Sequence, residues 1–299
     1  MCHWLSSSDP GTAPVKAVGI YTASIAVGEF SRKIQIVASE LKAQLTIMLI
    51  ALTATIGLST DALAAGDCPT AVDEIATDRP DITNSSLVVP DGSLQIENGI
   101  NLTKGQQSTV VDGTNTRLRF GVSSCTEVLV DLPSYAHSGR GPNGSSDVAP
   151  AIKTQLGPLP GNLHLSVTIG VGLPTGDVAV SRRGYEPYLQ FPWAHELGGG
   201  WAIDGMVTAF WFPSEPSDHL TLESTFAVER NIGVHADVFA EFVGDYPSHA
   251  GPREFLNFGG SYRITHTQQL DIHTGFGIDR RAPTFFFGIG YSYRWDGLN

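Results

Sequence analysis

The chain has 299 residues, of which 41% are hydrophobic and only 16% are charged, and its formal net charge is −12. A chain this acidic has no surplus of Lys and Arg to neutralise phosphates, so we expect no nucleic-acid partner. Its 3 cysteines are too few for a scaffold built on disulfides or for a four-cysteine zinc site. The composition therefore excludes several classes of protein without identifying one.

The N-terminal region has the layout of a secretory signal peptide. An uncharged apolar run from Leu45 to Leu58 is followed by the small-residue site Ala62-Leu63-Ala64, which predicts cleavage after Ala64 or Ala65. The run is shorter than the about 20 apolar residues that a membrane-spanning helix needs. We expect residues 1–64 to be an N-terminal extension plus signal peptide, with its hydrophobic region at 45–58, and residues 65–92 to be a periplasmic N-terminal segment. Residues 1–40 exceed an ordinary signal peptide, which indicates either a translation start near Leu41 or a long leader.

Alternation of apolar and polar residues dominates the chain after residue 92. At the C-terminus every second position is apolar or aromatic, namely Phe285, Phe287, Ile289, Tyr291, Tyr293 and Trp295. In a β-strand the two alternating sets face opposite sides of the sheet. About 12 segments show the pattern, which predicts an all-β domain; they lie at 93–103, 115–122, 126–133, 149–156, 163–173, 185–192, 201–211, 220–229, 234–242, 256–264, 270–279 and 285–295.

A soluble β-domain and a transmembrane barrel share this alternation, but two features favour the barrel. Short connections, such as 123–126 and 265–268, alternate with longer ones, among them 104–114, 134–148, 174–184 and 244–254. Aromatic residues of the apolar face lie near strand ends, as in the girdles of membrane barrels: Trp201, Trp211, Phe242, Tyr291, Tyr293 and Trp295. We predict a transmembrane antiparallel up-and-down β-barrel over residues 93–299, embedded in outer-membrane lipid.

The polar face of such strands would line the lumen. The candidate lining residues are Arg117, Arg119, Asp204, Glu223, Asp237, Glu241, Arg263, Asp271, His273 and Arg294. Barrels of 8 strands are filled by side chains and those of 16–18 strands leave an open channel, so about 12 strands predict a narrow or partly plugged path.

The opening of the predicted domain resembles a known family. Residues 76–83, ATDRPDIT, and 89–97, VPDGSLQIE, are similar to the first motifs of a bacterial outer-membrane family of transporters of the meta-pathway of phenol degradation. Residues 117–122 resemble the family's second strand, and the Gly-aromatic strand at 285–295 resembles its last. The resemblance implies an outer-membrane barrel that passes small solutes, among them aromatic or other hydrophobic compounds. Such barrels end beside an aromatic residue that the barrel-assembly machinery reads, whereas here four residues follow Trp295.

We expect no catalytic site, cofactor or metal, and passage of solutes by diffusion. The pair His195-Glu196 lacks the second histidine of an HExxH zinc motif, because residue 199 is Gly, and no GxSxG motif is present. Two other functions stay open: a structural or adhesive barrel whose extracellular loops bind a ligand, and a barrel-embedded lipid hydrolase with a Ser/His pair at one rim. The sequence does not specify the oligomeric state.

Two cysteines are predicted to lie on the periplasmic side. Cys68 follows the expected cleavage site, and Cys125 lies in the SSCT connection at 123–126. Because the periplasm is oxidising, we predict a disulfide between them, with two free surface thiols as the alternative.

Overall fold

The computed structural model of the protein describes residues 68, 74–156, 159–181, 184–212 and 219–297. The predicted signal peptide, with its hydrophobic region at 45–58, lies outside the described residues. Within the described ranges, no helix is long and apolar enough to cross a membrane.

The described residues form one antiparallel sheet of 14 strands. The strands are β1 Leu94–Lys104, β2 Thr109–Ser123, β3 Thr126–Asp131, β4 Tyr135–Ser138, β5 Gly144–Ser145, β6 Ala149–Leu156, β7 Leu163–Gly172, β8 Glu186–Gly198, β9 Trp201–Phe212, β10 His219–Ile232, β11 Ala236–Pro247, β12 Arg253–Thr265, β13 Gln268–Gly277 and β14 Phe285–Trp295.

The sheet closes into a barrel because β1 pairs with both β14 and β2. Strand β3 pairs directly with β6, so β4 and β5 form a small hairpin beside the first part of β2 and stay outside the ring. The closed ring therefore has 12 strands, which confirms the predicted barrel.

The two rims of the barrel differ in their connections. The turns from β2 to β3 and from β12 to β13 lie at one rim together with the start of β1 and the end of β14; we call it the short-turn rim. The connections 132–148 and 173–185 lie at the opposite, long-loop rim.

Two connections at the long-loop rim are shorter than predicted. Strand β2 begins at Thr109, so residues 105–108 join it to β1, and residues 248–252 join β11 to β12. A register shift between Glu97 and Gly99, in the pairing of β1 with β2, interrupts the strict alternation. This irregularity hid the first part of β2 from the sequence pattern.

Neighbouring residues show which face of the sheet is apolar. On β6, Ile152 is 55% exposed and Lys153 is 0% exposed; on β13, Ile272 is 52% exposed and His273 is 7% exposed. The outer face of the barrel is thus apolar, and the polar side chains of these strands point into the barrel. This inside-out arrangement requires lipid around the outer face.

Candidate functional site

The chain ahead of β1 lies inside the barrel. Residues 74–92, here called the lumen segment, begin and end at the short-turn rim, where Ile75 N–H donates to His266 O at 2.8 Å and Gly92 N–H donates to Gly121 O at 3.0 Å. Between these points the segment bonds inward-facing side chains of β1, β2, β3, β6, β8, β10, β11 and β13. Because those strands are distributed around the ring, the segment crosses the interior of the barrel. The sequence placed these residues in the periplasm and gave no reason to expect them within the barrel.

Asp78 is the main charged anchor of the lumen segment. Its carboxylate lies 3.0 Å from Arg117 Nη1, 3.4 Å from Arg119 Nη1 and 3.1 Å from Lys153 Nζ. Burial would raise the pKa of Asp78, but the positive charges of Arg119, Lys153 and Arg117 outweigh it and hold this pKa below its ordinary value. Asp78 is therefore a paired anion at neutral pH.

Arg119 connects this anchor to the barrel wall. It is fully buried and pairs with Glu97 and Glu127, each at 3.0 Å. Its Nη2 also donates to Leu87 O at 2.9 Å, and Glu127 accepts from Val89 N–H at 2.7 Å. The buried charges are thus compensated by ion pairs that join wall and segment.

The innermost part of the lumen segment lies about halfway along β10 and β11. Glu241 accepts from the backbone N–H groups of Ile82 and Thr83 at about 3 Å and from Asn257 Nδ2 at 2.8 Å. The Thr83 hydroxyl lies 2.5 Å from the hydroxyl of Thr225. These bonds fix the turn of the segment against the far wall.

Glycines of β1 and β14 make room for the segment. Arg79 of the lumen segment pairs with Asp271 at 3.3 Å. A Cβ at Gly99 or Gly290 would overlap the Arg79 side chain. The absence of side chains at these two positions therefore admits an arginine to the wall, which is the kind of close approach that glycine in a strand permits.

The ten predicted lumen residues all lie on the inner face, but they differ in how far they are buried. Seven are buried, namely Arg119, Asp204, Glu223, Glu241, Asp271, His273 and Arg294. The other three are half-buried: Arg117, Asp237 and Arg263. Most of them bond one another or the lumen segment, so they do not surround an open path; Arg263, for example, pairs with Asp237 at 3.2 Å and with Glu74 at 3.1 Å.

Several inward-facing residues were missed. Glu127 and Lys153 stand at polar positions of β3 and β6, where the alternation offered a signal that the prediction did not use. Asp78 precedes the strands, so no periodicity could have indicated its place.

A second missed set consists of aromatic side chains on the inner face toward the long-loop rim. Ring centroids lie 5.9 Å apart for Tyr188 and Phe210 and 5.3 Å apart for Phe255 and Phe286. Phe210 also stacks on Phe212 at 5.6 Å. The sequence prediction named no aromatic residue among the lining residues, whereas the structure places these side chains on the inner face. Charged groups lie there too, for example Arg253, which pairs with Asp245 at 2.9 Å.

The structure joins Cys68 to Cys125 by a disulfide. Cys125 lies in the turn between β2 and β3, so the bond ties the chain ahead of the lumen segment to the short-turn rim.

The chain matches one protein family over most of its length. The family described as "Putative MetA-pathway of phenol degradation" matches residues 77–295, which include the lumen segment almost entirely and all 14 strands. The chain belongs to this family.

One solved structure has the same fold as this family member, and two others are more distantly similar to it. The COG4313 outer membrane channel from Pseudomonas putida F1 has a TM-score of 0.53 and 13% identity, over 70% of this chain and 97% of that chain. The KdgM porin in complex with disordered oligogalacturonate has a TM-score of 0.47 and 7% identity, over 67% of this chain and 98% of that chain. The CymD monoaromatic hydrocarbon channel has a TM-score of 0.40 and 10% identity, over 70% of this chain and 90% of that chain. No curated protein sequence matches the chain. Together with the apolar outer face, the fold places the phenol-degradation family member in the outer membrane.

Proposed function

We propose that the protein is an outer-membrane channel through which small aromatic or other hydrophobic compounds diffuse without chemical change. The observation that supports it is the set of aromatic side chains on the inner face toward the long-loop rim, among them Tyr188, Phe210 and Phe286. Ligand sites for such compounds are lined mainly by apolar and aromatic groups. The family description, which names phenol degradation, agrees with an aromatic permeant.

The charged part of the interior gives this channel a narrow path. The lumen segment bonds strands on all sides of the ring, and Arg119, Glu97, Glu127 and Lys153 are each 0% exposed. A hydrated ion would meet little free space there. We therefore infer a low ion conductance and a preference for small compounds of low polarity.

The proposed channel function requires that the chain be exported and inserted into the outer membrane. The predicted signal peptide would direct the chain to the periplasm, and the barrel-assembly machinery would insert the 12-stranded ring into the outer membrane. The displaced C-terminal aromatic residue, Trp295, is 41% exposed on the outer face, where that machinery could contact it.

Phe286 and Phe287 allow a matched test of the channel. They are neighbours on β14, and Phe286 is 7% exposed on the inner face whereas Phe287 is 37% exposed on the outer face. Uptake of radiolabelled phenol would be measured in cells with an otherwise tight outer membrane that express wild type, Phe286→Ala or Phe287→Ala. We expect wild type to exceed the empty vector, Phe286→Ala to change the uptake rate several-fold, and Phe287→Ala to match wild type.

Two results would overturn the proposal. Uptake equal to that of the empty vector, from protein shown to be folded in the outer membrane, would leave a structural or adhesive barrel as the better function. Equal effects of the two phenylalanine substitutions would show that the inner aromatic face does not contact the permeant.

A further inference from the structure

Three carboxylates meet between the lumen segment and the barrel wall. Asp81 belongs to the segment, Asp204 to β9 and Glu229 to the neighbouring strand β10. One carboxylate oxygen from each residue lies within 4.8 Å of the others. The sequence predicted no metal site, and these three residues are far apart in the chain.

The cluster has less compensating positive charge than Asp78, which stands three residues before Asp81 in the segment and pairs with three cations. The charge of Arg263 acts on Glu229, but the Arg263 guanidinium forms its ion pairs with Glu74 and Asp237. The nearby carboxylate of Glu241 is bonded to Ile82, Thr83 and Asn257. The cluster is therefore a buried excess of negative charge.

One of the three side chains, that of Asp204, is buried and has an oxygen without a hydrogen-bond partner in the described ranges. Asp204 is 7% exposed, and its Oδ1 is buried without a hydrogen-bond partner among the described residues. Burial, together with the charges of Glu241, Asp204 and Glu229, raises the pKa of Asp81 well above its ordinary value. Asp81 and Glu229 are half-buried, and Glu229 lies within hydrogen-bond reach of Asp204. Because carboxylates this close repel one another unless a cation or a proton lies between them, the group requires a bound cation or bound protons.

The geometry fits a divalent cation of the hard class. Ca²⁺ binds carboxylate oxygens at about 2.3–2.6 Å, so two oxygens on one ion lie at most about 5 Å apart. The separation of up to 4.8 Å found here falls within that limit. Mg²⁺ requires shorter bonds and near-ideal octahedral geometry, and it gives up its water less readily.

We propose that Asp81, Asp204 and Glu229 form a Ca²⁺ site that ties the lumen segment to β9 and β10. The ion would supply for this part of the segment the positive charge that Arg117, Arg119 and Lys153 supply for Asp78. The site does not depend on the permeant, so it stands or falls separately from the proposed channel function.

Calorimetric titration of the whole mature protein with CaCl₂ tests the proposal. The protein is folded in detergent, freed of divalent ions with a chelator and titrated with CaCl₂ or MgCl₂. We expect one Ca²⁺ per chain, bound more tightly than Mg²⁺. Asp204→Asn and Glu229→Gln should each weaken the affinity for Ca²⁺ at least tenfold, because each replaces a charged ligand by a neutral side chain of similar shape.

Asp112→Asn is the matched control. Asp112 is an inward-facing aspartate of β2 that is 7% exposed, like Asp204, but its carboxylate bonds Asn101 and Asn115 and lies outside the cluster. We expect this variant to bind Ca²⁺ as wild type does. Absence of Ca²⁺ binding by wild type, or wild-type affinity in Asp204→Asn, would overturn the proposal.

A second measurement covers variants that fold poorly. The temperature at which the folded band disappears on gels would be measured once in the presence of CaCl₂ and once in the presence of excess chelator, for wild type and the three variants. Ca²⁺ should raise this temperature for wild type and Asp112→Asn and leave it unchanged for Asp204→Asn. If the carboxylates hold only protons, Ca²⁺ will not change it for any of them, and the site is refuted.

Discussion

At the scale of single residues, two lysines show how environment decides the role of one residue type. Lys104 and Lys153 are the only lysines after the predicted cleavage site. Lys104 is exposed at the end of β1, whereas Lys153 is 0% exposed and lies 3.1 Å from Asp78 and 3.3 Å from Glu127. Only Lys153 can hold the lumen segment against the wall.

Replacement of Lys153 should therefore destabilise the protein strongly. Lys153→Met keeps the length of the side chain but leaves Asp78 and Glu127 with one cation fewer, and loss of one partner from a buried ion pair costs about 3–5 kcal/mol. Lys104→Met should change stability by about 0.5 kcal/mol or less, as for other surface substitutions. Urea unfolding in lipid vesicles would measure both; similar midpoints for the two variants would contradict the assigned role.

At the scale of secondary-structure elements, each strand places adjacent side chains in lipid and in the lumen. On β6, Ile152 faces outward next to the inward-facing Lys153. The same strand therefore accepts a positive charge at one position and should reject it at the next. The difference comes from the surroundings of the two faces, because both residues have the same strand conformation.

Ile152→Lys should impair folding into bilayers. A lysine on the lipid face near mid-membrane costs about 2–4 kcal/mol. Ile152→Leu is the control, since it keeps the apolar volume. Folding yields in vesicles would be measured by the shift of the folded band; a yield for Ile152→Lys equal to that of Ile152→Leu would argue against lipid at this face.

The disulfide acts between two elements, the chain ahead of the lumen segment and the turn from β2 to β3. Cys68 and Cys125 should both resist alkylation in protein taken from the outer membrane and react only after reduction. Mass spectrometry of the alkylated protein reads this directly. Labelling of both thiols before reduction would show that the bond does not form in the cell.

At the scale of the whole molecule, export and membrane insertion should define the mature chain. We expect protein recovered from outer membranes to begin at Ala65 or Gly66, because the site Ala62-Leu63-Ala64 directs cleavage there. It should also migrate differently on gels before and after heating, as a closed barrel does. Intact-mass measurement of the membrane fraction tests the first point; outer-membrane protein that retains residues 1–40 would refute the predicted processing.

The alternation of residue types was sufficient to predict most of the strands, whereas the choice of a membrane barrel also needed the connection lengths and the aromatic residues near strand ends. Residues such as Ile272 and His273 carry the period of two locally, and the strand number follows from counting such segments, so neither depends on distant contacts. The family resemblance rested on the motifs at 76–83 and 89–97 and on the strands at 117–122 and 285–295, and the match over residues 77–295 confirms it.

The contents of the barrel depended on contacts between residues far apart in the chain. Asp78 meets Lys153, and Asp81 meets Asp204 and Glu229, only after the sheet has closed around the lumen segment. No local period marks residues 74–92, since they form no strand, and the residue types that bind them are the same as those of a solvated lumen. Strand placement is decided by the local pattern of side chains, whereas the filling of the lumen is decided by which side chains closure brings together.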